Sequence, residues 1–277
     1  MMIRMRRPAA LAAGALASSP VLLDAVLVAP HALFISQRAP TGEVFLVNQG
    51  DAPEEVRVEL RFGYPTTDST GGMTIAFPEV TPEHPSAAAW LRAFPRRVRV
   101  EPGQRQLVRI LARPPADLPD GEYWSRLVVT SRAAQPSALA TSDSGVQAGI
   151  TLELRTITSV TFRKGAVTTG VRLDDFRVSA ENDSLVAWVA FGREGNAAYL
   201  GQVIFEVLDA NERVALEWRT PIAVYYDLNR RFVLPVDSLP AGTYRVRLRL
   251  TTERDDIPMN NVLPAAPVER SVGVEIG

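Results

Sequence analysis

From residue 25 onward apolar and polar positions alternate with a period of two rather than 3.6, and proline and glycine recur between the alternating runs. Successive side chains on a strand point to opposite faces, so the pattern predicts many short strands, each with one face buried and one wet. Glu55–Phe62 shows it plainly, with Val56, Val58, Leu60 and Phe62 separated by charged residues. Ala25–Ile35 reads as one long extended segment containing Pro30. Proline cannot donate to a ladder, so this segment lies at a sheet edge or changes sheets at Pro30. Glu43–Asn48 is the next strand, closed by the turn Gln49-Gly50-Asp51. Tyr64–Ala89, with Gly71-Gly72 and several prolines, reads as loop.

Arg96–Val100 and Gln106–Ala112 form a hairpin around Glu101-Pro102-Gly103-Gln104, and the turn Leu118-Pro119-Asp120-Gly121 leads into Glu122–Thr130. Ser131–Gly145 is rich in Ser, Ala and Pro and reads as a long flexible loop. Val146–Phe162 is the longest strand-like run. The count reaches seven strands over about 135 residues, the number an immunoglobulin-like sandwich uses. After a short linker, Lys164–Gly170, the pattern restarts with Val171–Ala180, Leu185–Arg193, Leu200–Leu208, Val214–Trp218, Ala223–Tyr226, Arg231–Val236 and Thr243–Thr251, and closes with Val268–Ile276. The expected fold is therefore all-β: two immunoglobulin-like β-sandwich domains in tandem, over 25–163 and 164–277, with no residue-level repeat between them.

Composition sharpens this picture in three ways. The chain has 277 residues, of which 46% are hydrophobic, enough for two cores of ordinary size. Its formal net charge of -1, with acids and bases interspersed, argues against a nucleic-acid binder, whose affinity comes from a basic surface. The absence of cysteine removes disulfides, thiolate metal sites and cysteine nucleophiles, but does not exclude an extracytoplasmic location. The N-terminus points outward from the cytoplasm. Arg4, Arg6 and Arg7 precede an Ala/Leu-rich run, and Ala15-Leu16-Ala17 has the small-x-small form a signal peptidase reads. Residues 1–17 are expected to be a signal peptide, with cleavage as late as Ala25 the second choice and an uncleaved helix the alternative. No stretch approaches the ~20 apolar residues of a membrane span, so the mature chain is expected to carry none.

Catalytic chemistry has little to stand on. His31 and His84 are the only histidines. No phosphate-binding glycine loop, nucleophile elbow or paired-histidine zinc motif occurs. His84, in a Pro-rich loop, reads as solvated, and Asp174-Asp175 and Asp255-Asp256 as turn formers. We assign no catalytic residue, no metal ligand and no cofactor, and the chain is not expected to be an enzyme.

Four segments carry a resemblance to a known family. Val28-Ala29-Pro30-His31-Ala32-Leu33-Phe34 is similar to the first strand of the PapD-like periplasmic pilus-assembly chaperones, and Val44-Phe45-Leu46-Val47-Asn48 to their second. Arg99–Gln104 with Leu107–Ile110 resembles their Pro-Gly hairpin, and Leu118–Trp124 the segment opening their sixth strand. The resemblance covers about residues 25–163; the second half matches only as a sandwich in the right place. It implies a periplasmic chaperone that binds pilin-type or other β-rich secreted subunits by lending them its seventh strand, with an outer-membrane usher as a further partner. Val146, Ala148, Ile150, Leu152 and Leu154 alternate onto one face, the expected donor face, and in the family's register Ile150, Leu152 and Leu154 fall on its main donor positions. The residues alone leave a second reading open, an ordinary strand whose apolar face packs into its own sandwich. A structural or adhesive surface module would then replace the chaperone.

The resemblance also implies two cations that anchor a client carboxylate, and here the chain departs from it. The corresponding positions are Ala32 and Ser159, both uncharged, so the usual anchor is not retained: either the client is held by strand pairing alone, or Arg38, Arg155 or Lys164 substitutes, or the chain is a relative with another job. Glu122 and Arg163 match members of a salt bridge between the domains, with the third partner unassigned.

Overall fold

The computed structural model describes residues 26–134, 137–138, 149–150 and 152–277. The expected signal segment, Val146 and Ala148 lie outside the described residues. The first half contains β1 (Val26–Ala29), β2 (Ala32–Ser36), β3 (Thr41–Asn48), β4 (Glu54–Arg61), β5 (Tyr64–Thr67), β6 (Met73–Ala76), β7 (Leu91–Phe94), β8 (Arg97–Val100), β9 (Arg105–Ala112), β10 (Gly121–Ala133), β11 (Ser137–Ala138), β12 (Gly149–Ile150) and β13 (Glu153–Lys164). The second contains β14 (Thr169–Glu181), β15 (Ser184–Gly195), β16 (Tyr199–Leu208), β17 (Val214–Val224), β18 (Leu228–Pro235), β19 (Gly242–Thr251) and β20 (Val268–Ile276).

The first domain packs the sheet β1-β3-β9-β7 against the sheet β2-β13-β10-β4-β8. Its core holds Val44, Leu46, Val56, Val58, Val108, Ile110, Leu127, Val129, Val160 and Phe162, the inward positions of alternating strands. Pro30 separates β1, which pairs with β3, from β2, which pairs with β13 in the opposite sheet. The strand thus changes sheets at the proline. Pro95 stands at a second change, between β7 on β9 and β8 on β4. The second domain packs β14-β15-β18 against β17-β16-β19-β20 around Leu185, Val189, Phe205, Val207, Val246 and Leu248.

One residue device marks both domains as immunoglobulin-like. Tyr123, near the start of β10, donates its hydroxyl to Pro119 O at 2.9 Å, and Tyr244, near the start of β19, donates to Pro240 O at 2.9 Å. This is the tyrosine corner of such sandwiches. Both sit in a Leu-Pro-x-Gly-x-Tyr segment, Leu118–Tyr123 and Leu239–Tyr244, so the halves do share a short repeat that strand spacing alone does not reveal.

Several boundaries differ from the alternation pattern. Tyr64–Ala89 is not all loop, because β5 and β6 pair Tyr64–Thr67 with Met73–Ala76. Val214–Trp218 and Ala223–Tyr226 merge into the single strand β17; it is an edge strand, the place in a sheet where a proline such as Pro221 is tolerated. The run Val146–Phe162 is not one strand: β12 pairs with β11, and β13 begins at Glu153. β10 continues to Ala133, into the segment expected to be loop.

Candidate functional site

β13 pairs along its length with β10, from Gly121↔Lys164 to Arg132↔Glu153. Its other side is occupied by β2 only from Ser159↔Ala32 to Arg163↔Ser36. Among the described residues no strand pairs with that side over Glu153–Thr158. The direction of the free groups follows from the flanking bonds. Ser159 N donates to His31 O, and Arg163 O accepts from Gln37 N, so odd-numbered residues of β13 turn their main chain toward β2. By alternation the N–H and C=O of Glu153, Arg155 and Ile157 point out at the open edge.

Side chains sort by the same parity. Thr158, Val160 and Phe162 are buried on the core face, and Leu152 and Leu154 continue that face beyond the point where the domain covers it. Leu152 is 56% exposed and Leu154 38%. Leu154 stands opposite Ser131, which stands opposite Val56, so the row runs from core outward and ends on a partly exposed leucine. The backbone of Ile150 is paired with Ser137.

The two positions at which the family resemblance places cations, Ala32 and Ser159, are cross-strand partners at the foot of this open edge. Neither is charged. Of the candidate substitutes, Arg155 is turned to Glu153 at 3.3 Å, Lys164 donates to Leu118 O, and Arg38 is exposed in the turn after β2. Two cations share the row, Arg61 on β4 and, directly opposite Ser159 on β10, Arg126. Arg126 is only 6% exposed; its Nε donates to Gly63 O at 3.0 Å, its guanidinium lies 4.9 Å from the Tyr225 ring centre, and its Nη2 has no partner among the described residues. Motif spacing misses Arg126 because the residue lies on a different strand from either family position. The β10–β13 register would have found it.

Tyr225 belongs to the second domain, and the contact lies in a seam between the two sandwiches. Phe62, Trp124, Ala198 and Tyr225 form a buried cluster there, with Tyr64 and Tyr226 edge-on at 4.5 Å. Burial pushes the Tyr226 phenol up, the neighbouring Tyr64 adds to this, and Arg193 opposes it. Below the aromatic cluster Glu122 and Arg163 are joined, Arg163 Nε donating to Glu122 Oε2 at 2.8 Å. The Glu122 side chain is fully buried; its Oε1 accepts from Trp124 Nε1 at 2.8 Å and from Ala198 N at 3.1 Å. Arg163 Nη1 reaches Asn261 O at 2.7 Å. Each member of the pair therefore bonds main chain of the second domain, and those backbone groups stand where a third charged partner is unassigned. His84 is not a free loop residue: it is half-buried, its ring 4.9 Å from Phe62, and its Nδ1 accepts from Thr81 N at 3.0 Å.

No family model matches the chain, and no curated protein matches it. Solved structures do show a likeness. The complex of the CsuC chaperone with the CsuE tip adhesion subunit from Acinetobacter baumannii is 10% identical, with 90% of this chain and 98% of the other covered at a TM-score of 0.45. The SafB chaperone with the SafA pilin from Salmonella enterica is 13% identical, covering 90% and 97% at 0.43. The CupB2 chaperone from Pseudomonas aeruginosa is 13% identical, covering 88% and 98% at 0.39.

Proposed function

We propose that this chain is an extracytoplasmic, pilus-chaperone-like protein that holds β-rich secreted subunits by β-strand addition along β13. The observation that carries the reading is the open edge over Glu153–Thr158 together with Leu152 and Leu154, which are exposed although they share the parity of the core face. A strand added there gains main-chain hydrogen bonds and covers two leucines, the two components of this recognition mode. Covering the part of each leucine that is still exposed contributes roughly 0.5–1.5 kcal/mol. An internal-core strand would have buried them. Ala32 and Ser159 leave the client without the family's paired cations, and the client is held by strand pairing and apolar contact.

The test is the double variant Leu152→Asp/Leu154→Asp, assayed for folding by thermal melt and for capture of pilin-type subunits by pull-down. Both side chains lie outside the core, so the expected result is a melting temperature within a few degrees of wild type and loss of capture. A variant that fails to fold would assign the leucines to the core, and one that folds and still captures would place the client elsewhere. Clients extended at their C-terminus are expected to bind as well as unextended ones. Loss of binding on extension would show that a carboxylate anchor operates after all.

A further inference from the structure

The outer face of the five-stranded sheet carries charges arranged in rows that run across the strands and stop at the open edge. In the first row Arg99 on β8 stands opposite Glu55 on β4, Glu55 opposite Arg132 on β10, and Arg132 opposite Glu153 on β13. The signs alternate, and Arg132 and Glu55 are in contact at 2.6 Å. In the next row Arg97, Arg57, Thr130 and Arg155 follow one another, three cations without an acid. Glu59 neighbours Arg57 along β4 and is its ion-pair partner. In the third row Glu59, the buried Val128 and Ile157 follow, and Ile157 is 41% exposed. Glu153 and Arg155 are both exposed and form an ion pair with each other at 3.3 Å.

Residues directly opposite on neighbouring strands interact: opposite charges stabilise, like charges destabilise, and apolar pairs gain contact. Each row therefore sets a preference for whatever strand comes next. We infer that the open edge reads its client, favouring a strand that places a basic residue beside Glu153, an acidic residue beside Arg155 and an apolar residue beside Ile157. The opposite face of that strand carries apolar residues against Leu152 and Leu154. The acidic position is set most firmly, because Arg155 ends a row of cations with no acid in it. This rests on strand addition at β13 and names the kind of strand preferred.

Titration of the isotope-labelled full chain with synthetic peptides, followed through the backbone amides of Glu153–Thr158, tests it. One peptide pair alternates apolar residues with Lys, Glu and Val in the inferred order, once for each strand direction; a control pair exchanges the Lys and Glu. Opposite-charge pairs at an exposed edge change affinity by about two- to fivefold each. The expected result is that one matched peptide binds several-fold more tightly than its control, and that Glu153→Arg/Arg155→Glu inverts the order. Equal binding of matched and exchanged peptides would overturn the charge reading and leave strand addition intact. If no peptide shifts those amides, strand addition at this edge falls, and the inference with it. If preference persists but the charge-reversed variant fails to invert it, the rows are not its source and the inference is overturned.

Discussion

At the scale of single residues, the seam between the domains is the most demanding place in the molecule. Removing one partner of a buried ion pair leaves the other charge uncompensated, so Glu122→Ala is expected to destabilise the chain by roughly 3–5 kcal/mol, read as a lowered urea midpoint. It strands Arg163, Trp124 Nε1 and Ala198 N together. Gly165 is a second fixed point: its φ is +60°, and a side chain there would meet the Asp120 carboxylate, which accepts from Ala166 N at 3.0 Å. Gly165→Ala is expected to cost about 1–2 kcal/mol from the left-handed backbone alone, checked by the same unfolding curve. Some of this was readable in advance. Asn48 ends its strand because its side chain bonds Ala52 O, Val100 O and Gly50 N, closing the turn that Gln49-Gly50-Asp51 announces. Arg126 was not readable, because its place at the seam depends on the register of β10 against β13 and on a domain 99 residues further on at Tyr225 (225 − 126).

At the scale of elements, period-two alternation identified the longer strands that have one face buried and the other wet, and missed β7, whose buried-exposed pattern spans four residues. It failed where that contrast is missing. β5, Tyr64-Pro65-Thr66-Thr67, has a proline and no alternation, and it forms because Tyr64 packs on Phe62 and Tyr226. Alternation also continued past the true start of β13, since Leu152 and Leu154 keep the parity of the core without being covered by it. The β5–β6 hairpin ties the domains as well: Gly71, at φ +77°, lies against Arg231 and Trp188, and its carbonyl accepts from Arg231 N at 3.1 Å. Gly71→Val is expected to release that contact, so the Arg231 amide should exchange faster while the core amides of β10 keep their protection. Unchanged exchange at Arg231 would mean the hairpin does not hold β18.

At the scale of the whole molecule, two sandwiches meet on an aromatic cluster and a buried ion pair, and β13 runs from that seam out to an edge that no strand among the described residues pairs with over Glu153–Thr158. No helix among the described residues is long and apolar enough to cross a membrane. If the chain is exported as its N-terminus suggests, the mature product is expected to begin at Ser18, or at Val26 for the later cleavage, as intact mass would show. The central claim is that β13 offers its outward main chain to a client. Residue-resolved hydrogen exchange measures this directly. In the free protein the amides of Glu153, Arg155 and Ile157 are expected to exchange rapidly, and those of Leu154, Thr156 and Thr158, turned toward β10, slowly. With a captured subunit the first three should become protected and the second three should hardly change. Amides of Glu153, Arg155 and Ile157 that are already protected in the free chain, or that stay fast in the complex, would contradict strand addition at this edge.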